Sequence, residues 1–226
     1  MSPLLSVITV VFNGEKYIER CIESVQQIKK IYPGLVEHII IDGKSEDKTL
    51  DLIRSFKDKI DIVVSERDRG ISDAFNKGIK LAAGTYILFL NSDDYFAGDM
   101  ADVLDVLRDS RADVVYGKMN RVDSGKIICT PRPDHINLKY SMSIYHPSTF
   151  CKKSVILAVG CFDERYKVAM DYNLLARVLH SKATFSYADI VITNFQLGGI
   201  STGSYKNILK GYIELLRTQI SVFGIE

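Results

Sequence analysis

The side chains best equipped for chemistry fall in a few short clusters, most of them acidic. Asn91-Ser92-Asp93-Asp94 closes the apolar run from Tyr86 to Leu90. Adjacent carboxylates repel unless water or a cation lies between them. Mg2+ and Mn2+ take such hard oxygen ligands, usually a carboxylate or two together with substrate phosphates. Asp93 and Asp94 are thus candidate metal ligands, although a solvated strand-end turn accounts for the same pair. Asp42-Gly43-Lys44-Ser45-Glu46-Asp47 follows another apolar run. Ser45 or Asp47 can cap the helix that comes next; Asp42 is not needed for capping and is free to face a ligand. The densely charged stretch from Glu66 to Gly78 leads into a helix N-terminus, a natural place for an anion. His146-Pro147-Ser148 and Met170-Asp171-Tyr172 complete the set. His146 reads as a core histidine or a site residue, Asp171 as a helix cap or a functional acid.

Something must hold these clusters together. Val7 to Phe12 is an apolar run rich in β-branched residues, as a strand buried on both faces is; Val36 to Ile41, Ile60 to Val64 and Tyr86 to Leu90 read as three further strands. Between them Tyr17, Ile18, Cys21, Ile22, Val25 and Ile28 recur at helical spacing. So do Leu50, Ile53 and Phe56, and then Ala74, Phe75, Gly78, Ile79 and Ala82. This alternation predicts an α/β fold, a mainly parallel central sheet with helices on both faces. Ligands on such sheets bind beyond the carboxyl ends of the strands, where residues 12–14, 42–45, 66–70 and 91–94 all fall.

The second half is a smaller mixed region. It carries strands from Asp113 to Gly117, Lys126 to Thr130 and Ile190 to Phe195, a helix from Asp171 to Ser181, and the loop Gly198-Gly199-Ile200-Ser201. The last helix, Tyr205 to Phe223, has an apolar stripe with Lys206, Lys210 and Arg217. It reads as a core helix packed on the sheet, or as an interfacial helix at an anionic membrane.

Composition narrows the classes. With 226 residues and 46% hydrophobic content, the chain can bury enough surface to fold without a metal or disulfide staple. A net charge of +1 argues against bulk binding to nucleic acid, so any phosphate ligand needs a local site. Cys21, Cys129, Cys151 and Cys161 lack C-x-x-C spacing, which argues against a zinc knuckle. No basic leader and no apolar run of about 20 residues is present, so the expected location is cytoplasmic. A dinucleotide fingerprint is absent, and Gly43-Lys44-Ser45 is no phosphate loop, because His38 stands where that motif needs glycine.

In order, "SVITVVFNG", "IIIDGKSEDKT", "SERDRGISDAFNKGIKLAAGTYILFLNSDDYF", "HPSTF", "VGCFDERYKVAMDYNLL" and "GGIST" resemble a family 2 inverting glycosyltransferase of bacterial surface-polysaccharide type. The resemblance implies a Rossmann-like GT-A fold in a single domain, 1–226. Residues 1–95 would form the nucleotide-binding half, 96–203 the acceptor half and 204–226 the C-terminal helix. It implies transfer from a nucleotide diphosphate sugar, foremost a UDP-sugar, to a glycan or lipid-linked sugar, with Mg2+ or Mn2+ as cofactor.

The same resemblance implies roles. Phe12 would stack on the base and Asp42 would read its edge. Asp68, Gly70 and Asp73 would flank the nucleotide and donor sugar. Asn91-Ser92-Asp93 matches the family's D-x-D motif, with Asn91 replacing the ribose-binding aspartate and Asp93 holding metal beside Asp94. Asp171 matches the second acid of the family's E-D pair, the general base; Met170 replaces the first. Gly199 and Ser201 belong to a loop that would close over the diphosphate, and His146 would meet the diphosphate or the acceptor.

Two rivals stand beside this reading. A nucleotidyltransferase would favour a glycine- and lysine-rich loop after the first strand, where Asn13-Gly14-Glu15-Lys16 stands instead. An inactive sugar- or nucleotide-binding module would be marked by loss of Asp93 or Asp171.

Overall fold

The computed structural model describes residues 2–98, 101–198 and 204–225. The first half runs β1 (Leu5–Val11), α1 (Ile18–Ile31), β2 (Val36–Asp42), α2 (Thr49–Ser55), β3 (Ile62–Ser65), α3 (Ile71–Leu81) and β4 (Tyr86–Asn91). The second half runs β5 (Tyr95–Phe96), α4 (Ala101–Asp109), β6 (Val114–Asp123), β7 (Lys126–Cys129), β8 (Thr149–Lys152), α5 (Lys153–Ala158), α6 (Met170–His180), β9 (Phe185–Gln196) and α7 (Tyr205–Thr218). Short 3-10 turns stand at His135–Lys139 and His146–Ser148.

A single sheet has the order β3-β2-β1-β4-β8-β6-β9-β5, with β7 on β6. β3, β2, β1 and β4 are parallel. β8 is antiparallel to both β4 and β6, and β9 is parallel to β6. The reversal at β8 therefore brings the carboxyl ends of β6 and β9 to the same edge as those of β1, β2 and β4. The segment entering β8, which contains His146, arrives at that edge too. This topology is what gathers residues from both halves of the chain at one site.

β1 and β4 are largely apolar because both faces are covered. Leu5 and Val7 pack with Cys21 and Val25 of α1 on one side, while Ile8 and Val10 pack with Phe75 and Ile79 of α3 on the other. Gly78 lets α3 lie against β1, because a Cβ there would collide with Ile8. β8, α4 and α5 carry no clear pattern of their own in the sequence, and β9 begins five residues before the expected Ile190.

The last helix departs from its expected role as a core element. Its buried residues are Glu214 and Thr218, with Gln219 just beyond. Leu209, Tyr212 and Leu216 are 62%, 64% and 56% exposed. The apolar stripe faces outward and the polar side faces the domain.

Candidate active site

At the carboxyl edge of the sheet lies a cleft of about 720 Å³. One wall comes from the ends of β1 and β4 and the start of α3: Phe12, Asn13, Asp68, Gly70, Asn91, Ser92 and Asp93. The other comes from the second half, with Arg121, Tyr145, His146, Lys167 and Asp171 among its residues. Phe12 is 63% exposed at the mouth, an aromatic surface left uncovered. Asp68 lies against Gly43, where a Cβ would come within 2.5 Å of its carboxylate, and it accepts the Gly70 N–H at 2.9 Å.

A chain of hydrogen bonds crosses the floor. Asn91 Nδ2 lies 3.2 Å from His146 Nε2, and His146 Nδ1 lies 2.9 Å from Asp171 Oδ2. The same Asn91 nitrogen is 3.4 Å from Asp94 Oδ2. An amide nitrogen can only donate, so His146 Nε2 accepts and Nδ1 carries the proton given to Asp171. The neutral ring satisfies both contacts. Asp171 Oδ1 accepts the N–H of Tyr172 at 2.8 Å, so each carboxylate oxygen already holds one donor while the side chain stays 23% exposed. The core reading of His146 is thereby set aside: its ring lines the cleft and joins the two halves.

Burial pushes the Asp93 carboxyl above its usual range, with a backbone hydrogen bond and the charge of Arg20 pulling part of the way back. Arg20 gives its hydrogen bond to the Asp93 carbonyl oxygen at 3.2 Å and lies over the Tyr95 ring. The Asp93 carboxylate is thus partly buried, and no salt bridge to it is formed among the described residues. Among the described residues, no group of three or more His, Cys, Asp or Glu side chains is placed to hold a metal. A lone carboxylate completed by substrate phosphates matches the way Mg2+ is usually bound, so these residues fit such an ion only together with a phosphate ligand.

Three expected residues do not reach the cleft wall. Asp42 is fully buried. Its carboxylate accepts the Ser45 N–H at 3.2 Å, the Ser45 hydroxyl at 2.5 Å and the Ser65 hydroxyl at 2.6 Å, so it ties loops together. Asp73 turns away to Arg69 and Lys77. Asp94 is fully buried and accepts the Gln196 N–H at 3.0 Å. Burial first, then the adjacent Asp93, raises its carboxyl well above the ordinary range. Gly199 and Ser201 lie outside the described residues.

The sequence reading missed Lys167 and Arg121, the cations of the second wall. Lys167 reaches across to the Arg69 carbonyl at 3.1 Å, beside Gly70. Arg121 lies 5.5 Å from the Tyr145 ring centre. Lys167 sits in the quoted motif around Asp171, but nothing in its spacing marks it.

The architecture is that of GT-A glycosyltransferases. Staphylococcus aureus TarS 1-349 in complex with UDP aligns with a TM-score of 0.75 and 22% identity, covering 96% of this chain and 64% of that one. A mannosyltransferase from Pyrobaculum calidifontis in complex with GDP-Man and Mn2+ aligns with a TM-score of 0.70 and 16% identity, covering 96% and 65%. This chain therefore spans less than two thirds of either solved chain. Residues 6–163 match the family model "Glycosyl transferase family 2", and the chain belongs to that glycosyltransferase family. A PGL/p-HBAD biosynthesis glycosyltransferase of Mycobacterium bovis is 28% identical over 88% of this chain and 80% of its own length. An uncharacterised glycosyltransferase of Rickettsia prowazekii is 27% identical over 95% and 70%.

Proposed function

We propose that this enzyme moves a sugar from a nucleotide diphosphate donor, a UDP-sugar, to a glycan or lipid-linked sugar, inverting the anomeric carbon. The observation that carries this is the Asn91–His146–Asp171 relay. It puts a carboxylate from the second half across the cleft from the residues suited to hold a nucleotide. Phe12 offers its ring to the base, and Asn91 and Ser92 face the ribose. Lys167 and Arg121 supply positive charge opposite Asp93. Asp171 takes the proton from the acceptor hydroxyl as its oxygen bonds to the anomeric carbon. The bond from that carbon to the diphosphate breaks, and the nucleotide diphosphate leaves. His146 holds the Asp171 carboxylate toward the cleft by its Nδ1–H. A Mg2+ or Mn2+ ion bound by Asp93 and the donor would neutralise charge growing on the leaving diphosphate. Alignment of the two substrates by the facing walls supplies several kcal/mol, on the order of what proximity effects give.

The donor reading is supported by neighbours of the same fold whose structures are in complex with UDP, UDP-GlcNAc or GDP-Man. The test is a donor panel with Mn2+, read as release of UDP or GDP and as thermal shift. A bound donor at about 100 times its dissociation constant raises stability by roughly 2.7 kcal/mol. If no nucleoside diphosphate sugar shifts the melting temperature or is consumed, the proposal fails.

Membrane contact belongs to the same reading. No described helix is long and apolar enough to cross a bilayer. The outward stripe of Leu209, Tyr212, Ile213 and Leu216 is joined by exposed Lys206, Lys210 and Arg217, and the one acid of α7, Glu214, is turned inward. An exposed face that is apolar and cationic suits the surface of an anionic bilayer, where a lipid-linked acceptor would be found.

A further inference from the structure

We propose that Glu214 of the C-terminal helix is a positioning residue that fixes the segment carrying Lys167 and Asp171; this rests on the reading of Asp171 as the base. Glu214 is buried at 5% exposure. Its Oε1 accepts the Lys167 N–H at 2.9 Å, and its Oε2 accepts the N–H groups of Val168 and Ala169, both at 2.8 Å. Successive backbone N–H groups form a concavity for an anion, and here the anion comes from an element 45 residues away in sequence from Ala169. The need for it is local. Ala169 stands at the N-cap of α6 and offers no capping side chain, so the chain leading into α6 has donors that its own sequence leaves unanswered.

The rest of α7 and the residue that follows it hold Glu214 in register. Thr218 donates to the Glu214 carbonyl at 3.0 Å and receives the Asn173 amide of α6 at 3.2 Å. Gln219 donates to the Tyr140 carbonyl at 2.7 Å. Gly211 brings the helix against Val168, where a Cβ would lie 3.2 Å from Val168 Cγ1. Fixing residues 167–169 has two consequences in the cleft. Lys167 is aimed at the Arg69–Gly70 loop, and Asp171, two residues past the clamp, meets His146. Glu214 touches neither substrate; it acts through those two side chains.

Glu214→Gln keeps the shape but offers one acceptor oxygen where two now serve three donors. Glu214→Ala removes both. With donor and acceptor in hand, both variants should remain folded at the assay temperature and lose roughly 10- to 100-fold in kcat, with the acceptor KM little changed. Combined with Asp171→Asn, the Glu214 substitution should cost much less than it does alone, leaving only the part carried by Lys167, because coupled residues are non-additive. Full turnover in Glu214→Gln, or an equal loss with and without Asp171, overturns the proposal. Hydrogen exchange supplies a readout that needs no substrate. Amides 167–169 should exchange at least about tenfold faster in Glu214→Gln while β1 and β2 stay protected; unchanged protection there also overturns it. If no donor is turned over by the wild type, the glycosyl-transfer reading fails by itself, and the exchange result still decides whether Glu214 clamps the segment.

Discussion

Replacing Asp171 with asparagine separates chemistry from architecture. The substitution removes a proton acceptor and keeps the shape, but it is not silent structurally. Oδ2 accepts from His146 and Oδ1 from the Tyr172 N–H. Asparagine has a single acceptor oxygen, so its amide nitrogen must confront one of those donors. His146 cannot simply turn its tautomer around, because Nε2 would then present a proton to the Asn91 amide, which is itself held toward Asp94. A hydrogen bond to a charged group is worth roughly 1.5–3 kcal/mol. Partial exposure of the Asp171 side chain, 23%, lets water replace part of that, leaving a loss of about 1–2 kcal/mol. For a domain of this size the melting temperature should fall by roughly 2–8 °C.

Turnover should fall much further, by roughly 10²–10⁴-fold, equivalent to about 2.7–5.5 kcal/mol on the barrier. Differential scanning fluorimetry reads the first quantity and nucleoside diphosphate release the second, at a temperature where both proteins are folded. Donor affinity, measured by titration without acceptor, should stay close to wild type. A variant with the expected drop in melting temperature and near-normal turnover would refute the assignment of Asp171 as base and leave it a structural partner of His146.

Asp93→Asn should abolish the extra thermal stabilisation that Mn2+ gives in the presence of UDP, and excess EDTA should do the same to wild type; metal-independent turnover would contradict this. Leu209→Glu with Ile213→Glu should abolish salt-sensitive co-sedimentation with anionic vesicles at little cost in stability, because both side chains are exposed; unchanged sedimentation would exclude α7 as the contact. His38 is fully buried, its Nδ1 has no partner among the described residues, and Nε2 meets Thr9 at 3.0 Å. Burial lowers its pKa to about 3 from 6.5, so only the unfolded chain takes up the proton as pH falls below the unfolded value. Its contribution is complete above that value and declines by about 1.4 kcal/mol per unit on the way down toward the folded one. The buried Asp94 acts in the opposite sense, so the comparison is with His38→Gln, whose urea-derived stability should fall less steeply between pH 6.5 and 4.5; equal slopes would refute it.

The parallel half was legible because both faces of β1, β2 and β4 are buried, which leaves each strand rich in apolar, often β-branched residues even where β1 admits Ser6 and Thr9 and β2 admits Glu37 and His38. The β8 strand was not. It is only Thr149–Lys152, and its identity depends on neighbours on either side, β4 and β6. In the candidate site, the residues expected at strand ends that do line the cleft include Phe12, Asn91 and Asp93. The sequence was misleading where a strand-end carboxylate turns inward. Asp42 and Asp94 occupy the expected positions in the chain, but the hydroxyls of Ser45 and Ser65 take one and the backbone of β9 takes the other. Position along a strand tells which edge a residue reaches. It does not tell whether a donor elsewhere in the fold has already claimed its oxygens.

The C-terminal helix carries that point furthest. A 3.6-residue period in hydrophobicity identifies a helix with two unlike faces and nothing more. The usual inference, that the apolar face is the inner one, assumes that burial of hydrocarbon decides the orientation. In α7 specific polar contacts decide it. Glu214, Thr218 and Gln219 find partners on the loop before α6, on α6 itself and at Tyr140, and a buried carboxylate with three N–H donors is costly to unmake. Turning the helix over would strand that carboxylate's donors and bury Lys206 and Lys210. The apolar stripe therefore stays outside, where an anionic lipid surface could receive it, and the face that binds the N–H groups of residues 167–169 stays inside. The one acid on a helix otherwise rich in lysine and arginine was the available signal in the sequence. Its meaning came only from the unanswered N–H groups that it meets.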